Sequence, residues 1–202
     1  MTRVGLFGGS FDPVHNAHLA VARAALDQLA LDELRWIPAG QPWQKSRRLA
    51  PAEHREAMVR LAIEGEPRFV LDPIELRRKG VTYTIDTVRA LHAAHPAGQW
   101  FLILGQDQYA GLRTWHDWQA LLGLVTPAIA ARPGVPSAVD PEVARFGHVR
   151  VDLPMMALSA TDIRRRIAAG ESIAEHVPDP VRRYIERHRL YARAGSDPHT
   201  RS

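Results

Sequence analysis

The stretch RVGLFGGSFDPVHNAHLAVARAALDQLAL, residues 3–31, sets the architecture. It opens with a short apolar run, Arg3 to Phe7, that reads as a buried strand. Two glycines and an Asp12-Pro13 pair then turn the chain. A helix follows, with Leu19, Ala22, Leu26 and Leu29 at helical spacing. A strand, a glycine turn and a helix in that order form the first half of a β–α–β unit.

The alternation continues through the chain. LRWIP (34–38), RFVLD (68–72), QWFLILGQD (99–107), LVTPAIAARPG (124–134) and HVRVDLP (148–154) read as strands. QWFLIL is a continuous apolar run, which suits a strand covered on both faces of a parallel sheet. Pro127 weakens the start of its strand, because proline donates no ladder hydrogen bond. PAEHREAMVRLAIEG (51–65), YTIDTVRALHAAHP (83–96), TWHDWQALLG (114–123), LSATDIRRRIAAG (158–170) and PDPVRRYIERHRLY (178–191) read as helices. AGQPWQKSRRLAP (39–51) is polar and basic between prolines and reads as a loop. Strand–helix alternation predicts an α/β fold: a Rossmann-like open, mostly parallel sheet with helices on both faces. We expect one domain over residues 1–193, its C-terminal helical part at about 159–193, and a polar tail over 194–202.

Composition narrows the function classes. The 202 residues are 46% hydrophobic, enough for a sizeable core, and contain no cysteine. There is no disulfide framework and no thiolate metal site. No stretch approaches the roughly 18 apolar residues of a membrane span, and the N-terminus does not read as a signal peptide. A soluble, cytoplasmic protein with no membrane partner is expected. The net charge is +4, and all basic residues but Lys45 and Lys79 are arginine. Arginine forks suit phosphate. The surplus is too small to demand nucleic acid.

In open α/β sheets ligands bind beyond the carboxyl ends of the strands. GGSFDPVHNAH lies there. It is neither a dinucleotide fingerprint nor a P-loop. Gly8 and Gly9 let the backbone approach a ligand. His15 and His18 stand where a helix begins, and a helix N-terminus favours phosphate. Three readings fit the spacing: a phosphate clamp, a zinc pair lacking its further ligands, or ordinary first-turn histidines. LSATDIR offers a second such helix start, with Ser159 and Thr161 hydroxyls and Arg164 one turn in. Ser159 and Asp162 have capping-box spacing. A capped surface helix is the competing reading.

These residues carry a resemblance. GGSFDPVHNAHL resembles the H-x-G-H signature of the nucleotidylyltransferase superfamily, and SATDIR resembles its S-[ST]-T-x-x-R signature. IPAGQPWQK, YTIDTV, LILGQDQ, LRTWHDW, ARPG and VPDPVRRYIERHRLY follow in the order found in bacterial nicotinate-mononucleotide adenylyltransferases, over about residues 3–191. The resemblance implies transfer of the adenylyl group of ATP to nicotinate mononucleotide, with Mg²⁺ carried by the ATP phosphates. It implies that His15, His18 and Arg164 are catalytic. It places ATP on Gly8, Gly9, Ser10, Phe11, Lys45, Gly105, Asp107, Ser159 and Thr161. It places the mononucleotide on Tyr83, Thr84, Trp115 and Arg132. Trp115 offers a flat face for the pyridine ring, and the helix start at Tyr83–Thr84 offers N–H groups to its carboxylate. Trp118 reads as core. No protein ligand for a metal is implied, no nucleic-acid partner is expected, and the oligomeric state is left open. Ala17, Gln44 and Ala160 depart from the family pattern. Other acceptors, nicotinamide mononucleotide or phosphopantetheine, form the alternative. A basic module that holds RNA or a nucleotide without turnover is another, and it lacks the interleaved aromatics of a stacking platform.

Overall fold

The computed structural model describes residues 1–42, 49–131, 140–153 and 158–192. Among these residues six strands form one sheet: β1 (Arg3–Gly9), β2 (Glu33–Pro38), β4 (Phe69–Leu71), β6 (Gln99–Gly105), β7 (Thr126–Ala131) and β8 (Val149–Asp152). Their spatial order is β4-β2-β1-β6-β7-β8, and every pairing is parallel. Counted within this sheet, the order is 3-2-1-4-5-6, that of a doubly wound nucleotide-binding fold. The chain reverses its direction of travel across the sheet between β1 and β6. The crevice at the carboxyl ends of those two strands is therefore the place for a ligand.

Side chains of β1 alternate between the two faces of the sheet. Leu6 and Phe7 are both buried, yet they belong to different cores on opposite faces of the sheet. On one face α1 (Asn16–Gln28), α2 (Ala52–Ile63), α8 (Ala160–Ala168) and α9 (Asp179–Arg187) cover Phe7, Leu26, Trp36, Met58, Ile163 and Ile185. On the other, α4 (Thr84–Ala94) and α6 (Trp118–Leu124) cover Leu6, Val88, Leu102, Leu121 and Ile129. Burying each such side chain contributes about 1.5–3 kcal/mol. His54 of α2 meets the Tyr184 hydroxyl of α9 at 2.9 Å, which fastens the C-terminal helices to the body.

Several boundaries differ from the sequence reading. Pro127 lies inside β7, paired with Leu102, near the strand's start where a missing N–H is tolerated. The segment around TWHDW is not one helix. A 3₁₀ turn at Leu112–Thr114 precedes it, and α6 begins only at Trp118. Asp117, with φ +51°, separates the two. Pro51 is the N-cap of α2 and not its first helical residue. Short elements carried no period to read: β3 (Gln41–Pro42), β5 (Val81–Thr82), α3 (Ile74–Arg77), α5 (Gln106–Ala110) and α7 (Pro141–Ala144). β3 and β5 pair in parallel as a separate small sheet.

Candidate active site

The turn after β1 is tightly determined. Gly9 faces the Phe11 ring so closely that a β-carbon there would lie 2.9 Å from it, whereas the same position on Gly8 opens into free space. Phe11 takes φ +45° and is 1% exposed, so its ring is core and its backbone forms the turn. Asp12 is wholly buried. Its Oδ1 accepts from the Ala50 N–H at 3.2 Å and from the Tyr191 hydroxyl at 2.8 Å.

His15 is the N-cap of α1. The rings of His15 and His18 stack at 3.7 Å between centroids, 24° from parallel. His18 Nδ1 accepts the backbone N–H of His15 at 3.2 Å. A backbone N–H can only donate, so the His18 ring carries its proton on Nε2. The edges of Phe7 and Phe11 hold the ring from the other side. His15 is 5% exposed, and burial pulls its imidazole down to about 4, so it is neutral at pH 7. This geometry bears on the zinc reading left open by spacing. Stacked rings do not converge two lone pairs on one metal, and Nδ1 of His18 is already engaged.

The second signature meets the first. Arg164 of α8 donates from Nη1 to the Asp12 carbonyl at 2.6 Å and from Nη2 to Thr161 Oγ1 at 3.0 Å. The expected capping of α8 is present: Ser159 Oγ accepts the Asp162 N–H at 3.1 Å and donates to Asp162 Oδ2 at 2.7 Å. That bond holds the Asp162 carboxyl below its usual range.

A cavity of about 160 Å³ opens at the carboxyl ends of β1 and β6. Gly8, Gly9, Ser10, Thr84 and Trp115 line it, which brings together the β1 turn and the start of α4. Tyr83 is the N-cap of α4, and its ring lies 4.3 Å from that of His116. Gly105 ends β6 and is the N-cap of α5. Asp107, two residues further on, is exposed, and it is Gln108 that reaches the cavity wall. Trp118 is half-buried against the core, edge-on to Phe146. Lys45, Arg132 and Gln44 lie outside the described residues.

Sequence reasoning missed Glu75, Thr82 and Thr87, all on the cavity wall. Thr87 Oγ1 donates to Glu75 at 2.9 Å and accepts from Arg78 at 3.2 Å. Burial raises the Glu75 carboxyl, while Thr87, the Gly40 backbone, Arg78 and Thr82 act against that shift. A carboxylate in a four-residue helix has no periodic signal, so nothing in the sequence marked it.

Comparison with known proteins agrees with this geometry. Residues 6–166 match the cytidylyltransferase-like family. A Bordetella petrii protein described as "Probable nicotinate-nucleotide adenylyltransferase" is 52% identical over 95% of this chain and 100% of its own. A protein of the same description from Methylibium petroleiphilum is 50% identical over 94% and 92%. Among solved structures, the Plasmodium falciparum nicotinic acid mononucleotide adenylyltransferase complexed with NaAD superposes with a TM-score of 0.78. It is 18% identical and covers 95% of this chain and 98% of its own, so it speaks to the fold. With its two signatures joined at the switch point of a doubly wound sheet, the chain belongs to the cytidylyltransferase-like family, among the nicotinate-nucleotide adenylyltransferases.

Proposed function

We propose that this protein transfers the adenylyl group of ATP to nicotinate mononucleotide, releasing pyrophosphate and forming deamido-NAD. One observation carries the reading beyond family membership. The Arg164–Asp12 bond, across 152 positions of sequence, ties the helix start of the second signature to the turn that carries the first.

The 5′-phosphate oxygen of the mononucleotide attacks the α-phosphorus of ATP. A new P–O bond forms there, and the bond to the bridging oxygen breaks, so pyrophosphate leaves with both electrons. The protein's part is to position the phosphates and to stabilise charge on their oxygens. The His18 Nε2–H donates to an α-phosphate oxygen as charge grows there. His15, neutral, contributes orientation and not charge. Thr161 and Arg164, on a helix start held by Ser159, take the β- and γ-phosphates. Gly8 leaves room for the nucleotide against the backbone.

The mononucleotide ring fits the cavity. A void of about 150 Å³ accommodates a benzene ring, and a pyridine is no larger. Trp115 supplies a flat wall, and the first N–H groups of α4 at Thr84 face the ring's carboxylate. A carboxamide offers that helix end a dipole in place of a full charge, so the acid is preferred. Mg²⁺ carried by the ATP phosphates would supply charge neutralisation at the leaving pyrophosphate. Among the described residues no group of three or more His, Asp or Glu is placed to hold a metal.

The test is pyrophosphate release with ATP and each of three acceptors. We expect kcat/KM for nicotinate mononucleotide to exceed that for nicotinamide mononucleotide and for phosphopantetheine by about tenfold or more. We expect His18→Ala to lower kcat by about 10²–10³ with the fold retained. Equal acid and amide rates would overturn the role given to α4. No pyrophosphate with any acceptor would overturn the reaction.

A further inference from the structure

Arg55 lies in α2, outside both signatures, and is 3% exposed. Its guanidinium touches three segments. Nε donates to the Ala50 carbonyl at 3.0 Å, and Nη1 donates to Ser10 at 3.0 Å and to Ala39 at 2.7 Å. Ser10 belongs to the turn after β1, and Ala39 follows the end of β2; both line the cavity. The Ala39 N–H also bonds to the Gly9 carbonyl at 2.8 Å, closing the same seam. Buried Asp12 supplies the opposing charge. It raises the Arg55 pKa against the lowering effect of burial, and it bonds to the Ala50 N–H.

A cation taken out of water is strongly penalised unless its donors are met. Here the Nε and Nη1 donors are met by the main-chain carbonyls of Ala50, Ser10 and Ala39. Apolar residues would fill the same space under α2 more simply. What a guanidinium adds is a rigid fork that fixes three chain segments relative to one another.

The geometry points to Arg55 as a positioning residue for adenylyl transfer: it holds the phosphate turn, through Ser10, in register with the end of β2, through Ala39. It touches no substrate and acts through the backbone of Gly8–Phe11. This inference rests on the proposed reaction. A lysine keeps the charge opposite Asp12 but donates from one nitrogen on a different stem. It cannot span Ala50 on one side and Ser10 with Ala39 on the other. The turn then relaxes, and small displacements of bound phosphates slow the chemistry far more than they weaken binding.

The experiment compares wild type, Arg55→Lys and Val59→Ala by thermal unfolding and by full kinetics with ATP and nicotinate mononucleotide, well below the unfolding range. Val59 is one turn further along α2 and fully buried in the core, so its truncation destabilises without touching the turn. We expect both variants to melt earlier. We expect Arg55→Lys to lose about tenfold or more in kcat, with both KM values within about threefold of wild type. Val59→Ala should keep its kcat. The inference is overturned if folded Arg55→Lys keeps kcat within about twofold, if only a KM rises, if Val59→Ala loses kcat equally, or if Arg55→Lys does not fold, since Arg55 would then be merely structural. An inactive wild type would instead overturn the proposed reaction, so the two failures are distinguishable.

Discussion

His15 is a base whose burial keeps it uncharged. Its folded pKa is about 4, against 6.5 in the open chain. Below pH 6.5 the unfolded chain takes up a proton there that the folded chain refuses. Stability is therefore full above pH 6.5 and falls as pH drops through the window toward 4. The contribution reaches about 3 kcal/mol at the low end. His15→Gln has no such proton to gain. Urea unfolding at about pH 7.5 and pH 4.5 should show a smaller acid loss for His15→Gln than for wild type; equal losses would remove His15 from the account. Ala17, where the family pattern has glycine, is the second residue of α1. A helical position accepts its methyl group without strain.

The start of α8 shows how a cap becomes part of a site. The Ser159 hydroxyl is not idle; it donates to Asp162 and accepts the Asp162 N–H. In the proposed reaction, its contribution passes through the order of the helix start that carries Thr161 and Arg164. Ser159→Ala should lower stability by about 1 kcal/mol, and Ser159→Asn, which can still cap, should recover most of it. Thermal unfolding of the pair checks this, and equal losses would show that capping is not what Ser159 provides. Capping was legible from Ser159 and Asp162 at their spacing. The bond of Arg164 to the Asp12 carbonyl was not, because spacing along one helix says nothing about which distant carbonyl it meets. The start of α4 was likewise readable at Tyr83–Thr84, while Glu75, which takes the Thr87 hydroxyl behind it, was not.

The two ends of the chain close on each other. Tyr191 donates to Asp12 across 179 positions, and Ile173, Val177, Val181 and Ile185 share a core with Phe7 and Phe11. We propose that residues 1–193 fold as one unit, and we expect one cooperative transition. Tyr191→Phe leaves Asp12 short of one donor in a buried place and should cost about 1–2 kcal/mol without splitting that transition. Tryptophan fluorescence and far-ultraviolet circular dichroism should give coincident curves for both proteins. A separate early transition in either would divide the C-terminal helices from the body.

The order of strands and helices, the parallel sheet and the two helix starts were written in local pattern. Apolar runs, glycine turns and caps act over a few residues, so QWFLILG and GGSFDPVH are readable alone. The sequence also determined the family, because its signatures are short and ordered. Only the tertiary structure decided how the two histidines stand. Stacking, the bond from the His15 backbone and the burial of His15 come from Phe7, Phe11 and the α1 start packing together. Only the tertiary structure brought Arg55, Glu75 and Tyr191 to the site. Each is polar and bonds to another segment: Arg55 to Ser10, Glu75 to Thr87 and Tyr191 to Asp12. A buried charge is stable only where partners from other segments converge, and no periodicity along one segment records that convergence.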